Sequence, residues 1–135
     1  MTDAELAAIH AAAMSLPRPW SESEIGSLRL MPGSIESVRP EGFALGRHVL
    51  DEAELLTIAV HPDHRRRGFA RALLRNFHGK AKSAGADVCH LEVAASNAAA
   101  RALYTSEGYR ESGHRRGYYT EASPPIDAIV MVLQL

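Results

Sequence analysis

A basic loop that leads into a helix has the clearest chemical character in this sequence. Arg65, Arg66 and Arg67 precede Gly68, and an amphipathic helix is predicted to follow. A helix N-terminus presents unpaired backbone N–H groups and about half a positive charge. Gly68 lets the backbone approach a ligand closely, and the small Ala70 leaves the next turn clear. The spacing R-x-x-G-x-A therefore predicts a pyrophosphate-binding site at a helix start.

Two common phosphate-binding motifs do not describe this loop. It has neither the G-K-[ST] of a P-loop nor the G-x-G-x-x-G of a dinucleotide-binding fold. On these residues alone, an exposed basic loop that caps the helix and binds nothing stays open as the alternative.

A carboxylate near the end of the next apolar strand is the second candidate. Glu92 follows a strand predicted to begin at Val88. A lone buried carboxylate is costly, so Glu92 must lie in a solvated cleft or beside a cation. Ligands bind at the carboxyl ends of strands in α/β sheets, which makes Glu92 a candidate for catalysis. A structural salt bridge to a neighbouring arginine is the alternative.

Asn97 and Tyr104 share one face of the helix that follows. They are seven residues, or two helical turns, apart. Asn97 also has the residue type of an ordinary helix N-cap. Tyr104 is equally compatible with a packing role in which its hydroxyl is hydrogen-bonded inside the protein.

The remaining reactive side chains predict neither a metal site nor a disulfide. Cys89 is the only cysteine, so no internal disulfide is possible, and a buried core position is expected for it. Four histidines are candidate metal ligands, but their spacing matches no zinc-binding motif; they are His61, His64, His78 and His90.

Composition narrows the class of protein. The chain has 135 residues, 46% of them hydrophobic, which predicts one domain over residues 1–135 with a core of its own. Its net charge of −1 argues against direct nucleic-acid binding. The N-terminus lacks the features of a secretion signal, and no run approaches the ~20 apolar residues of a membrane span, so we expect a cytoplasmic protein.

Strands and helices must alternate to position these residues. Prolines at 17, 19 and 62 and glycines at 33, 85 and 108 divide the chain into elements. The first predicted helix covers residues 3–14, with Thr2 or Asp3 as its N-cap, and the second starts at Ser21 or Ser23 and ends at Leu30. The third covers residues 69–84, and the fourth is capped by Ser96 or Asn97 and ends at Glu107. The predicted strands cover residues 34–38, 42–49, 55–60, 88–93, 109–119 and 127–135. This order predicts a mixed α/β sheet with antiparallel hairpins at both ends.

Two of these segments resemble known motifs. The R-x-x-G-x-A loop is similar to motif A of the GNAT acetyltransferases, and residues 91–109 resemble motif B. Residues 19–22, 51–56, 115–119 and 127–131 are similar to further family segments, especially in the bacterial ribosomal-protein-alanine N-acetyltransferases. The resemblance covers nearly the whole chain from about residue 5. It implies the GNAT fold, with parallel central strands that splay apart at the cofactor site.

The resemblance also implies residue roles. The residue that matches Glu92 is the family's proposed general base, and the one that matches Tyr104 its proposed general acid. Asn97 matches a residue that contacts the pantetheine arm of coenzyme A, and residues 58–60 match a strand whose backbone pairs with that arm. The residues so assigned to acetyl-CoA are Ile58, Ala59, Val60, Arg65, Arg66, Arg67, Gly68, Phe69, Ala70, Arg71 and Asn97.

The implied activity is acetyl transfer from acetyl-CoA to the N-terminal amine of a protein, with an Ala-initiated ribosomal protein as the acceptor. A GNAT enzyme for small amines or lysine side chains stays open, because a fold alone does not fix the acceptor. A non-catalytic module that binds coenzyme A or RNA through the arginines is a third class.

Two departures from the family are evident. Only Met1 and Thr2 precede the first helix, so the family's first strand is expected to be missing or vestigial, and Ala70 replaces the commoner glycine. A sheet edge left open in this way would fit a monomer or a weak dimer.

Overall fold

The computed structural model describes residues 1–135. Four α-helices and six strands carry the fold, with one short 3-10 helix at Pro62–His64. In chain order they are α1 (Asp3–Ala13), α2 (Glu22–Leu30), β1 (Ser34–Arg39), β2 (Gly42–Val49), β3 (Glu52–Val60), α3 (Phe69–Ser83), β4 (Val88–Ala94), α4 (Ala98–Ser106), β5 (Arg110–Tyr119) and β6 (Ile126–Gln134).

The helix starts follow from local sequence. Thr2 caps α1 and Ser21 caps α2, each in a capping box with the glutamate three residues later. Asn97 caps α4 by accepting a hydrogen bond from the Ala100 N–H. Gly68 precedes α3 with a left-handed φ of 79° and provides no side-chain cap. The N-terminus of α3 therefore keeps its backbone donors free for a ligand.

The strands form one mixed sheet in the order β1-β2-β3-β4-β6-β5. Only β3 and β4 are parallel; every other neighbouring pair is antiparallel. The hairpins predicted at both ends of the chain are confirmed, and no strand precedes α1. β3 begins at Glu52, three residues before the predicted start at Leu55. Ala53 and Leu55 are buried while Glu52 and Glu54 are exposed, so the period-two pattern extends through this acidic stretch.

The two parallel strands separate partway along their length. Their pairing ends at Leu55 and Leu91, although β3 continues to Val60 and β4 to Ala94. At the same level the β2–β3 register shifts and leaves Leu56 without a partner on β2. A bulge of this kind bends its strand and increases the local twist. The splayed parallel strands implied by the resemblance are therefore present, and the opening lies between β3 and β4.

A hydrophobic layer covers each face of the sheet. Leu73, Leu74 and Phe77 of α3 pack in a cluster of 16 buried residues on one face. On the other face, α1 and α2 bury a cluster of six residues that includes Leu6 and Phe43. Each large side chain buried in this way contributes about 1.5–3 kcal/mol to folding. No helix is both long and apolar enough to cross a membrane.

Candidate active site

The loop before α3 forms an open anion cradle. Arg66 and Gly68 both have left-handed backbone conformations, with φ of 64° and 79°. Alternating conformations of this kind turn successive N–H groups toward one concavity. A Cβ added to Gly68 would meet no atom within 4 Å, so the space in front of the loop is free. A cavity of about 300 Å³ lies here, lined by Val60, His64, Arg65, Arg66, Gly68, Phe69, Ala70, Arg71, Ala99 and Leu103.

The four arginines of this region occupy different environments. Arg65 donates to the Ala13 carbonyl at 3.2 Å, which joins the loop to the end of α1. Arg71 donates to Ser106 Oγ at 3.0 Å and lies 3.5 Å from the Glu107 carboxylate, so it also joins α3 to α4. Arg66 lines the cavity and Arg67 lies outside it; both are exposed. Three of the four predicted arginines, Arg65, Arg66 and Arg71, thus line one cavity, and Arg65 and Arg71 hold structural contacts as well.

A free strand edge leads away from the cradle. Residues 58–60 pair with β2 through one edge of β3 only, because β4 has already separated at Leu55. The other edge leaves backbone N–H and C=O groups available at the opening. An extended amide-bearing chain can pair with such an edge as an added strand. Ile58 and Val60 pack on the α3 side of the sheet, and Ala59 is buried on the α1 side.

Glu92 lies where the sheet opens. It is the first residue of β4 after the last parallel pair, and it pairs with Val130 of β6 on its other side. Its side chain is 27% exposed, and its Oε1 lies 3.1 Å from Arg115 Nε. The sequence predicted that Glu92 lies either in a solvated cleft or beside a cation. In the structure the carboxylate is both partly exposed to solvent and paired with Arg115.

A groove continues from Glu92 along the sheet face opposite α3. It encloses about 410 Å³ and is lined by Arg47, Val49, Glu52, Ala53, Glu54, His90, Leu91, Glu92, Arg115 and Val130. His90 Nε2 lies 3.1 Å from Glu52 Oε1 at its far end. Glu52 is level with Val88, four residues before Glu92, which corresponds to about 13 Å of strand. The groove is long enough for three or four residues of extended chain.

Tyr104 is buried but its hydroxyl remains unbonded. The residue is 6% exposed, and burial raises the pKa of its phenol, with a smaller contribution from Tyr119. No hydrogen bond in the chain involves the Tyr104 hydroxyl, whereas the neighbouring Tyr109 hydroxyl pairs with His78 Nε2 at 2.7 Å. The only fully buried side-chain nitrogen or oxygen atoms that lack a hydrogen-bond partner are ring nitrogens of two histidines. The Tyr104 hydroxyl oxygen is not among them, so it remains accessible to solvent or a ligand. The hydrogen-bonded packing role considered for Tyr104 is therefore not what the structure shows.

Tyr119 is a buried tyrosine that interacts electrostatically with both candidate catalytic residues. It is 7% exposed and packs against Ala94 and Ala128. Burial raises the pKa of Tyr119 first, and the nearby charge of Glu92 raises it further. Tyr104 and Glu92 share no hydrogen bond, but Tyr119 helps to raise the pKa of Tyr104 and Glu92 helps to raise the pKa of Tyr119.

Other polar residues have simpler environments. The Asn97 side-chain oxygen is used in capping α4, which leaves its amide N–H₂ group for a ligand. Burial raises the pKa of the Cys89 thiol, so this residue stays protonated and unreactive. No group of three or more His, Cys, Asp or Glu side chains is placed to hold a metal ion.

These features belong to one class of enzyme. An anion cradle at a helix start, a free strand edge leading from it and a carboxylate at the same opening are the arrangement expected of an acyltransferase that uses a coenzyme A thioester. The model of the acetyltransferase (GNAT) family matches residues 20–109. The chain belongs to the GNAT family, and it is an N-acetyltransferase.

Relatives with assigned activities agree with this family. The [ribosomal protein bS18]-alanine N-acetyltransferase of Escherichia coli K12 is 42% identical over 121 residues, which cover 87% of this chain and 82% of that protein. N-alpha-acetyltransferase RimI of Mycobacterium tuberculosis is 44% identical over 75 residues, covering 56% and 46%. The crystal structure of the Escherichia coli ribosomal-protein-S18-alanine N-acetyltransferase superposes with a TM-score of 0.84 at 38% identity and covers 96% of this chain and 85% of that one.

Proposed function

We propose that this enzyme acetylates the N-terminal α-amine of a protein, and that an Ala-initiated ribosomal protein is its acceptor. The observation that carries the proposal is the groove that runs about 13 Å from Glu92 along β3 and β4. A small amine needs no such extension, whereas a polypeptide N-terminus must continue beyond the reacting nitrogen. Similarity to enzymes named for alanine acetylation of bS18 supports the ribosomal acceptor. Such an acceptor fits an enzyme of the cytoplasm.

The residues of the cradle fit acetyl-CoA. Backbone N–H groups at the start of α3, with Arg65 and Arg66 beside them, are suited to a pyrophosphate. The free edge at residues 58–60 is suited to the amides of pantetheine, and Asn97 stands at the nearby start of α4. The bound thioester supplies the acetyl group. No metal is needed for these contacts.

Glu92 has the position and chemistry of the general base. It accepts a proton from the incoming ammonium, directly or through one water, and the neutral amine then forms the new C–N bond at the thioester carbonyl. A backbone N–H on the free edge at residues 58–60 stabilises the negative charge on the carbonyl oxygen. An α-amine with a pKa near 7.7 is roughly a fifth neutral at pH 7, so a modest base suffices.

Tyr104 has the properties of the general acid. As the C–S bond breaks, the phenol donates its proton to the departing thiolate, and the second proton that the attacking nitrogen loses restores the phenol through solvent. Its raised pKa keeps the hydroxyl protonated before the reaction, and its oxygen has no competing hydrogen bond. No covalent enzyme intermediate is required.

An acceptor comparison tests the proposal. Thiol release from acetyl-CoA is followed with an Ala-initiated basic peptide and with the same peptide blocked at its N-terminus. We expect turnover with the free peptide only. Equal turnover with the blocked peptide would move the activity to a side chain, and turnover confined to small amines would contradict a polypeptide acceptor.

A further inference from the structure

One buried histidine fixes the segment between α1 and α2, residues 14–21. His10 of α1 is fully buried. The Trp20 backbone N–H donates to His10 Nδ1 at 2.9 Å, and Thr57 Oγ1 lies 2.9 Å from His10 Nε2. The Trp20 ring stacks on the imidazole, with centroids 5.2 Å apart and an interplanar angle of 27°. A single side chain thus joins α1, the segment and β3.

These contacts assign the tautomer of His10. A backbone N–H can only donate, so Nδ1 is the acceptor and the ring proton lies on Nε2, which donates to Thr57. Burial lowers the pKa of His10 to about 4, against a weaker opposing effect of Glu24. The neutral ring therefore persists at neutral pH. A second proton on Nδ1 would face the Trp20 N–H and abolish that hydrogen bond.

The segment that His10 holds and the end of α1 before it touch both halves of the site. Ala13, the last residue of α1, accepts a hydrogen bond through its carbonyl from Arg65 of the cradle. In the middle of the segment, Leu16 packs against the cluster that contains Tyr119 and Ala94, beside Glu92. Thr57, the other partner of His10, directly precedes the free edge of β3 at residues 58–60. His10 is the one side chain of α1 that hydrogen-bonds to both the segment and β3.

We propose that His10 is a positioning residue for acceptor binding: its hydrogen bond to Trp20 holds residues 14–21 against Tyr119 and so shapes the entrance to Glu92. The effect on the acceptor rests on the function proposed above, whereas the hold on Trp20 rests on the contacts alone. The two parts can be tested separately.

Two conservative variants separate the two ring nitrogens. In His10→Asn the side-chain oxygen replaces Nδ1 and keeps the acceptor for Trp20, while in His10→Gln the amide replaces Nε2 and keeps the contact with Thr57. We expect His10→Gln to raise the KM for the acceptor peptide about fivefold to tenfold. We expect His10→Asn to stay within about twofold of wild type, and the KM for acetyl-CoA to change little in either variant.

Two readouts do not depend on acetyl transfer. The Trp20 amide should exchange slowly with deuterium in wild type and in His10→Asn, and about tenfold faster in His10→Gln, because only that variant lacks its acceptor. Trp20 is the only tryptophan, so intrinsic fluorescence reports the stacked segment directly. In wild type the emission should be constant from pH 8 to pH 6 and change below that range as His10 takes up a proton.

The outcomes discriminate. Equal KM values for the acceptor peptide in the two variants would overturn the proposal, because side-chain packing and not the hydrogen bond to Nδ1 would then determine acceptor binding. Rapid Trp20 amide exchange in wild type would overturn the hold on the segment. If wild type acetylates no peptide but shows the protected amide, the function proposed above fails and the positioning of Trp20 stands. If both variants unfold, the wild-type amide and fluorescence measurements still decide whether His10 holds the segment.

Discussion

Arg115 Nε lies 3.1 Å from Glu92 Oε1, so the carboxylate at the sheet opening is already paired with a cation before any amine arrives. Arg115 is 57% exposed and also lies over the Tyr118 ring, 5.4 Å from its centroid. Exposed ion pairs contribute about 0–1 kcal/mol, so an incoming ammonium can replace Arg115 at little cost. The pair therefore holds the place that the acceptor amine takes.

Arg115→Met tests this exchange, because methionine keeps much of the apolar stem and removes the charge. We expect the KM for an N-terminal peptide to fall by up to about fivefold, since the ammonium no longer competes with a guanidinium. The kcat should stay within about threefold of wild type. Steady-state kinetics at low salt give both values. A hundredfold loss of kcat would instead make Arg115 essential for orienting Glu92.

Glu92→Gln tests the base. At pH 7 we expect kcat/KM for the peptide to fall by about a hundredfold, with the Kd for acetyl-CoA unchanged. The deficit should shrink toward pH 9, because an α-amine with a pKa near 7.7 then loses its proton to solvent. Glu54→Gln is the matched control, since this groove carboxylate makes no ion pair in the chain. Wild-type turnover by Glu92→Gln at pH 7 would remove Glu92 as the base.

Tyr104→Phe tests the acid. We expect kcat to fall by about a hundredfold at similar peptide affinity. Because burial raises the pKa of Tyr104, its phenol remains protonated through pH 10, and the wild-type kcat should not decline between pH 8 and pH 10. A kcat–pH profile checks the second point. A decline in that range, or an unchanged rate in the variant, would contradict the assignment.

Gly68→Ala tests the cradle, with Gly85→Ala as a matched control. Both glycines have left-handed φ angles, 79° and 104°, and a Cβ at either would meet no atom within 4 Å. Each variant should lose about 1 kcal/mol of unfolding free energy through backbone strain. Only Gly68→Ala should weaken acetyl-CoA binding, because its methyl group enters the ligand space. Equal acetyl-CoA affinities by calorimetry would place the pyrophosphate elsewhere.

Local signals explain how much of the fold was predictable. Thr2 and Ser21, each one of two candidates at its helix start, cap α1 and α2 because each forms a capping box with the glutamate three positions later. The loop before α3 was equally readable, since strand, arginines, glycine and helix are contiguous. The bulge at Leu56 could not be predicted, because it depends on how β3 pairs with β2 and no residue type at this position indicates it.

Individual site residues could be predicted from the sequence more easily than the contacts between them. Glu92 and Tyr104 were identified through motifs, but the partners that define their environments come from β5, far along the chain. Arg115 of β5 reaches Glu92 of β4 across β6, which lies between the two strands, and no local pattern gives this strand order. His10 had one usable signal, its i+4 spacing from Leu6, which places it on the buried face of α1.

The most direct test of the central claim locates the acetyl group on the product. The substrate is an Ala-initiated peptide with an unblocked N-terminus and one internal lysine, incubated with enzyme and acetyl-CoA and then fragmented by tandem mass spectrometry. We predict that the first N-terminal fragment ion carries the acetyl mass and that the lysine is unmodified. Acetyl mass on the lysine with a free N-terminus would contradict the account, because the amine that reaches Glu92 would then be a side chain.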